Sequence, residues 1–261
     1  MRLKVYVANA FAETRFGGNP AAVVPLGEWL TDNLMQQIAA QNNLSETAFI
    51  VPKNEDFEIR WFTPGVEVAL CGHATLASAH ILFNHMGYTQ KKIIFHSKSG
   101  PLEVTKGEEE KITLDFPAKK PEEAKDDGHI AKALGVKPIF IFNSAFDYMV
   151  VLQDQSQIEA LKPDMGMVKQ LSARGLIVTA KGDEADFVSR CFYPQSGIDE
   201  DPVTGSAHVV MVPYWAAILG KKKLSAIQLS ARRGYLDCEL KGDRVLMSGH
   251  AHTYMEGDFY I

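Results

Sequence analysis

Two stretches of this chain are variants of one another. RWFTPGVEVALCGHATLASAHIL begins at Arg60, and RCFYPQSGIDEDPVTGSAHVVMV begins at Arg190. Both run Arg-x-Phe-x-Pro, then a loop, then Gly-x-Ala and an apolar segment. The match continues downstream, where FHSKSGPLEV (residues 95–104) parallels LSARRGYLDC (residues 229–238). Gly100 and Gly234 then stand at nearly the same spacing behind Gly72 and Gly205. Internal duplication constrains a fold more than any local motif, because each copy has to be a structural unit of the same design. We read two homologous halves, residues 1–118 and 119–261, joined through PAKKPEEAKDDGH (residues 117–129), a charged segment with two prolines and no apolar period. The final strand, TYMEGDFYI, has the option of returning to pair with the first half.

Within a half the pattern is strands, one helix, then more strands. LKVYVANAF, AAVVPL, TAFIVPK, FEIRWFTP, KIIFHS, GPLEVTK and KITLDFP are short and rich in β-branched and aromatic residues. GEEEK (residues 107–111) reads as an exposed hairpin turn. EWLTDNLMQQIAAQNNL reads as an amphipathic surface helix, capped by Thr31 or Asp32 and ended by Asn42-Asn43. The segments 73–86 and 206–219 differ from it, being small and apolar on nearly every face. Such a helix belongs inside the protein. The expected fold class is therefore α+β, each half a mostly antiparallel sheet wrapped around a central helix. Pro213 is expected to bend the second of these helices, and Gly87 and Gly220 to end them at matching places.

Composition narrows the function. With 46% hydrophobic and 23% charged residues the chain is an ordinary globular protein. A net charge of -5 argues against nucleic acid as the main partner. No apolar run approaches the roughly 20 residues of a membrane span, and the N-terminus reads directly as a strand rather than a signal peptide. Cys71, Cys191 and Cys238 are odd in number and widely spaced, which gives neither a disulfide framework nor a zinc pattern. A reducing cytoplasm is the expected compartment. HExxH, Walker and GxGxxG patterns are all missing, so no metal and no cofactor is expected.

The chemistry concentrates where the two buried helices begin. A helix start leaves about four backbone N–H groups without intrahelical partners and carries roughly half a positive charge, which makes it an anion site. Two halves give two such starts, at Gly72-His73 and at Gly205-Ser206; facing each other, they would hold a small carboxylate between them. The carboxylates of DEDPVTGSAH sit beside one of them. Helix capping would also explain Ser206, and a core position would also explain His73. Glu46, in NLSETAFIV, lies between a helix end and an apolar strand. Partial burial there raises a carboxyl's proton affinity and suits it to acid–base work, whereas a solvated loop glutamate is the plain alternative. Cys71, next to a helix start, is either a stabilised thiolate or a small buried residue. A racemase of the two-thiol kind lacks its second base here, because the matching spot near Pro202-Val203 has no thiol.

FGGNPAAVV, SETAF, RWFTPGVEVALCGHAT and DPVTGSAH, in that order along nearly the whole chain, resemble the PhzF family, the phenazine-biosynthesis-like isomerases. The resemblance implies the diaminopimelate epimerase-like fold, a homodimer, and a cofactor-free proton shift within a small carboxylic acid. By the same resemblance Glu46 moves the proton, while His73 and Asp201 hold the substrate and tune the glutamate. Ser45, Gly72, Gly205 and Ser206 would bind the substrate. Asn9, in VANAF, stands where the family pattern has aspartate, which puts a local polar contact in question. Two other readings stay open: a racemase or epimerase using Cys71, and a binding protein that takes up a small carboxylate without turning it over.

Overall fold

The computed structural model describes residues 1–125, 128–144 and 146–261. Part of the expected linker, residues 126 and 127, lies outside the described residues. The first elements are β1 (Arg2–Ala10), β2 (Asn19–Pro25), α1 (Asp32–Asn42), β3 (Glu46–Lys53), β4 (Asp56–Phe62) and β5 (Glu67–Val68). Then come α2 (Gly72–His85), β6 (Lys92–Ser97), β7 (Gly100–Lys106), β8 (Ile112–Pro117), β9 (Glu122–Glu123) and α3 (His129–Leu134). They are followed by β10 (Phe140–Asn143), β11 (Asp147–Val151), α4 (Gln155–Ala160), α5 (Met165–Val168), β12 (Gly175–Lys181) and β13 (Phe187–Tyr193). The last are β14 (Ile198–Asp201), α6 (Gly205–Leu219), β15 (Lys223–Gln228), β16 (Gly234–Lys241), β17 (Arg244–Gly249) and β18 (Ala251–Tyr260).

The chain forms two compact units, Met1–Asp115 with Ser248–Ile261, and Phe116–Met247. In the first unit β18 pairs antiparallel with β1, and β1 with β2. Next, β2 pairs parallel with β3 and β3 antiparallel with β4. Then β4 runs parallel to β6, and β6, β7 and β8 form an antiparallel meander. The second unit repeats this scheme. There β11 is parallel to β12, β12 antiparallel to β13, β13 parallel to β15, and β15 antiparallel to β16. Even the register is kept, with Phe49 opposite Arg60 in one unit and Val178 opposite Arg190 in the other.

The repeated arginines do the same work twice. Arg60 donates from Nε and Nη2 to the two carboxylate oxygens of Glu67, and Arg190 does so to Glu200. Each guanidinium also lies over the ring of the phenylalanine two residues on, 5.2 Å from Phe62 and 5.1 Å from Phe192. Such a two-point fork holds the returning short strand, β5 or β14, against its neighbour. The alignment downstream needs one correction. Ser97 pairs with Gly100, but Gln228 pairs with Gly234, so the second turn is three residues longer. The structural partner of Phe95 is accordingly Ala226 rather than Leu229, since Phe95 faces Phe57 as Ala226 faces Phe187.

The central helices are buried along most of their length, including Leu76, Ile81 and Leu82 in α2 and Met211, Val212 and Trp215 in α6. Hydroxyls inside α2 are satisfied locally, Thr75 by the carbonyl of Cys71 and Ser78 by that of Ala74. Pro213 lies inside a helix that continues unbroken to Leu219. Its missing N–H would orphan the carbonyl four residues back, and the backbone N–H of Lys119 donates to that carbonyl, on Val209, at 2.9 Å. Gly220 ends α6 in the left-handed region, whereas α2 is closed by Met86 with Gly87 left-handed just after it. In the first unit α1 packs Met35 and Ile38 against Val5, Val24 and Phe49. Thr31 caps this helix, accepting from Leu34 N at 3.4 Å. Because Leu76 is fully buried, Leu76→Ala should cost about 2–5 kcal/mol. The change should appear as a lower urea midpoint at unchanged m value. A shift no larger than that of the exposed control Ile218→Ala would remove α2 from the core.

Candidate active site

Three elements of the first unit meet at the start of α2. Glu46 is the first residue of β3, His73 the second residue of α2, and Asn19 the first residue of β2. Parallel pairing of β2 with β3, Ala21 opposite Glu46, brings both strand starts to the same end of the sheet. Glu46 Oε2 lies 3.2 Å from His73 Nε2, with side-chain exposures of 14% and 4%. On the other side of the ring, Asn19 Nδ2 is 3.1 Å and Cys71 Sγ 3.5 Å from Nδ1. With the Asn19 amide donating to Nδ1, the imidazole keeps its one proton on Nε2, the nitrogen facing Glu46. Burial pushes the His73 pKa down to about 3, so the ring is neutral at ordinary pH. Ser45 sits half-buried in the bend before β3, and Gly72 is buried as the first residue of α2.

Position 18 needs glycine for the turn into β2. Its φ is +67°, and a Cβ there would fall 2.3 Å from the carbonyl oxygen of Ala10. Asn9 is buried and donates from Nδ2 to the carbonyl of Arg15 at 2.6 Å, a bond that aspartate could not make without a proton. Glu46, Cys71 and His73 can also offer one ligand atom each within 4.8 Å of one another.

The second unit builds a different set at the start of α6. Asp201 ends β14, is buried, and accepts from Thr204 Oγ1 at 2.5 Å. Gln228, at the end of β15, clamps the turn between them: its Nε2 donates to the Asp201 carbonyl at 2.7 Å and its Oε1 accepts from Thr204 N at 2.8 Å. His208 bonds through Nδ1 to the Thr204 carbonyl at 2.8 Å, and burial lowers its pKa to about 4. Ser206 does not cap the helix. Thr204 holds the cap position, Gly205 starts the helix, and the Ser206 Oγ accepts from Arg174 Nη2 at 3.1 Å.

The surface helices α1, α4 and α5 are capped by the side chains of Thr31, Asp154 and Asp164. Neither Cys71 at α2 nor Thr204 at α6 makes a side-chain cap bond. The first turns of the two core helices thus lack the side-chain cap that these surface helices have. Asn19, Gln228, Asp147 and Arg174 were not among the expected site residues. Asn19 was visible inside FGGNP, but the other three are joined to the site only by strand pairing or by bonds across long sequence separations.

Two like units, each a mainly antiparallel sheet with a buried helix, define the α+β fold of the proline racemase and diaminopimelate epimerase class. A hydroxyproline epimerase of Agrobacterium vitis shares that fold with a TM-score of 0.64 at 7% identity, covering 98% of this chain and 92% of its own. At that identity the likeness is one of fold alone. Closer relatives are more specific. The family model for phenazine biosynthesis-like protein matches residues 8–257. An uncharacterized isomerase of Pseudomonas aeruginosa is 47% identical over 261 residues, all of both chains. The crystal structure of a PhzF family protein of Enterococcus faecalis superposes with a TM-score of 0.97 at 46% identity, again over 100% of each chain. The chain belongs to the phenazine biosynthesis-like (PhzF) family of isomerases. Among the described residues no helix is long and apolar enough to cross a membrane.

Proposed function

We propose that the protein is a cofactor-free isomerase in which Glu46 takes a proton from one carbon of a small carboxylic acid and returns it at another. The observation that carries this reading is the 3.2 Å approach of a neutral, oriented His73 to the Glu46 carboxylate. A neutral imidazole at that distance crowds the Glu46 carboxyl without neutralising it or competing for its proton. The negative charge that develops on the substrate would be met by helix N–H groups fixed in advance, which is the preorganised kind of electrostatic stabilisation. Gly72, Ser45, Gly205 and Ser206 are the proposed substrate-binding groups, and Asp201 a proposed catalytic partner. A homodimer in the cytoplasm completes the reading.

The test is a screen of small carboxylic acids for hydrogen–deuterium exchange at carbon in heavy water. Exchange that depends on the enzyme supports the reading, and saturable binding with no exchange at any carbon would replace it with a non-catalytic carboxylate-binding protein.

The 3.5 Å contact of Cys71 Sγ with His73 favours a second reading, in which the thiol is the base. The residue of the second unit that matches Cys71 is Thr204, each standing immediately before the first glycine of its helix. Cys191 is buried in β13, and burial pushes its thiol up and out of the reactive range. Cys71→Ala is therefore expected to keep exchange within a few-fold of wild type. A loss of two orders of magnitude or more, measured on the substrate found by the screen, would move the base role to Cys71.

A further inference from the structure

Arg174 stands just before β12 and belongs to no motif. Its Nε and Nη2 donate to the two oxygens of Asp147, at 2.9 and 2.5 Å. The Asp147 side chain is only 3% exposed and that of Arg174 is 40% exposed. A buried carboxylate is retained only when paired, and this one fixes the plane of the guanidinium. Two rings hold it further, with Cζ 5.2 Å from the centre of Tyr193 and 5.8 Å from that of Phe146. Tyr193 can pack there because position 175 is glycine: a Cβ would fall 2.1 Å from Tyr193 Cδ1. The fork is thus immobilised from several sides at a partly open position.

A guanidinium has five N–H donors. Nε gives its one to Asp147, and Nη2 gives its two to Asp147 and Ser206. Both N–H groups of Nη1 remain uncommitted among the described residues. The Ser206 hydroxyl is altered as well. Its oxygen accepts from a cation, so its own proton is polarised and left to donate. The Ser206 backbone N–H belongs to the first turn of a helix without a side-chain cap. The guanidinium lies within hydrogen-bond reach of the Ser206 hydroxyl in the first turn of α6, so Nη1 and that hydroxyl are neighbouring donors, a combination suited to an anion.

We propose that Arg174 is a specificity-determining residue that reads a carboxylate of the substrate at the start of α6, through Nη1 and through the Ser206 hydroxyl that it polarises. The inference rests on the reading of Ser206 as a substrate-binding residue. It deepens that reading by making the guanidinium, rather than the helix start alone, the source of selectivity for a charged over an uncharged group.

The test uses the full chain and the probes acetate, malonate and uncharged acetamide, with binding followed by calorimetry. In Arg174→Gln/Asp147→Asn both charges leave together, so no buried charge is stranded. Carboxylate binding should weaken about 10- to 100-fold, as for loss of hydrogen bonds to a charged group, and acetamide should be unaffected. Arg174→Lys keeps a cation beside Asp147 but loses the fork and should fall in between; it serves alone if the double variant does not fold by circular dichroism. Arg60→Lys, the control, should bind as wild type. On a substrate found by exchange, the Arg174 variants should raise KM while leaving kcat within a few-fold, the mark of lost ground-state binding. Carboxylate binding within twofold of wild type in a folded Arg174 variant overturns the proposal, as does failure of wild type to bind either carboxylate at millimolar concentration. Exchange that survives Glu46→Gln would overturn the proposed reaction but leave the Arg174 binding result standing, so the two failures are distinguishable.

Discussion

Glu46→Gln is expected to lower enzyme-catalysed exchange about 100- to 10,000-fold, the contribution of a positioned acid–base group, while leaving the fold unchanged. Glutamine keeps the volume of glutamate and the same shape beside His73. It cannot take up a proton. The side chain is also partly open, with 14% exposure, so the substitution strands no buried charge. Stability and circular dichroism should therefore match wild type, and the whole effect should appear in turnover. Exchange within tenfold of wild type would remove Glu46 from the role and redirect attention to Cys71. His73→Asn gives a graded companion result: the base is still present but has lost the neutral ring packed 3.2 Å from it, so a smaller loss is expected than for Glu46→Gln.

The stability of this protein should fall as the pH drops below the ordinary histidine value of 6.5. Three histidines are held neutral by burial: His73, with its pKa lowered to about 3, and His80 and His208, each lowered to about 4. For His80 the charges of His85, His252 and Lys106 add to the effect of burial. In the unfolded chain each would take up a proton below its ordinary value of 6.5. Between that value and the folded values the unfolded state binds more protons, so stability falls as pH falls. The loss begins near 6.5 and levels off only below 3 to 4. Each histidine contributes on the order of 1 kcal/mol per pH unit in that window. Urea midpoints measured at intervals from pH 7.5 to pH 5 should fall steeply, and His208→Asn should flatten the slope. Midpoints that stay level over that interval would contradict the neutral burial of these rings.

Much of the fold was legible because duplication writes the same physics twice. Arg60 and Arg190 are visible as a repeated letter, and the structure gives the reason, an identical fork to Glu67 and Glu200. The apolar, small-residue helices were legible because burial on every side leaves no polar face. The three-residue difference in the turns after Ser97 and Gln228 was not, because a turn's length is fixed by where its strands pair and not by its own residues. Nor was the cap position. Ser206 is a good cap by residue type, yet Thr204 holds that place, and its hydroxyl is drawn to Asp201 instead.

For the candidate site the division is similar. Glu46 and His73 are marked by their motifs, but nothing local says that Asn19 sets the tautomer of the imidazole between them. The Asp147–Arg174 pair is assembled when β11 runs parallel to β12, with Asp147 opposite Gly175. Gln228 reaches Thr204 and Asp201 from the end of β15. Sequence by itself determined the repeated α+β design, the buried helices and the residue types at their starts, because periodicity, burial and backbone geometry are local and recur in each copy. Only the tertiary structure decided which donors and acceptors face those residues. Hydrogen-bond partners are chosen by strand register and long-range pairing, which bring together groups that the linear chain keeps apart.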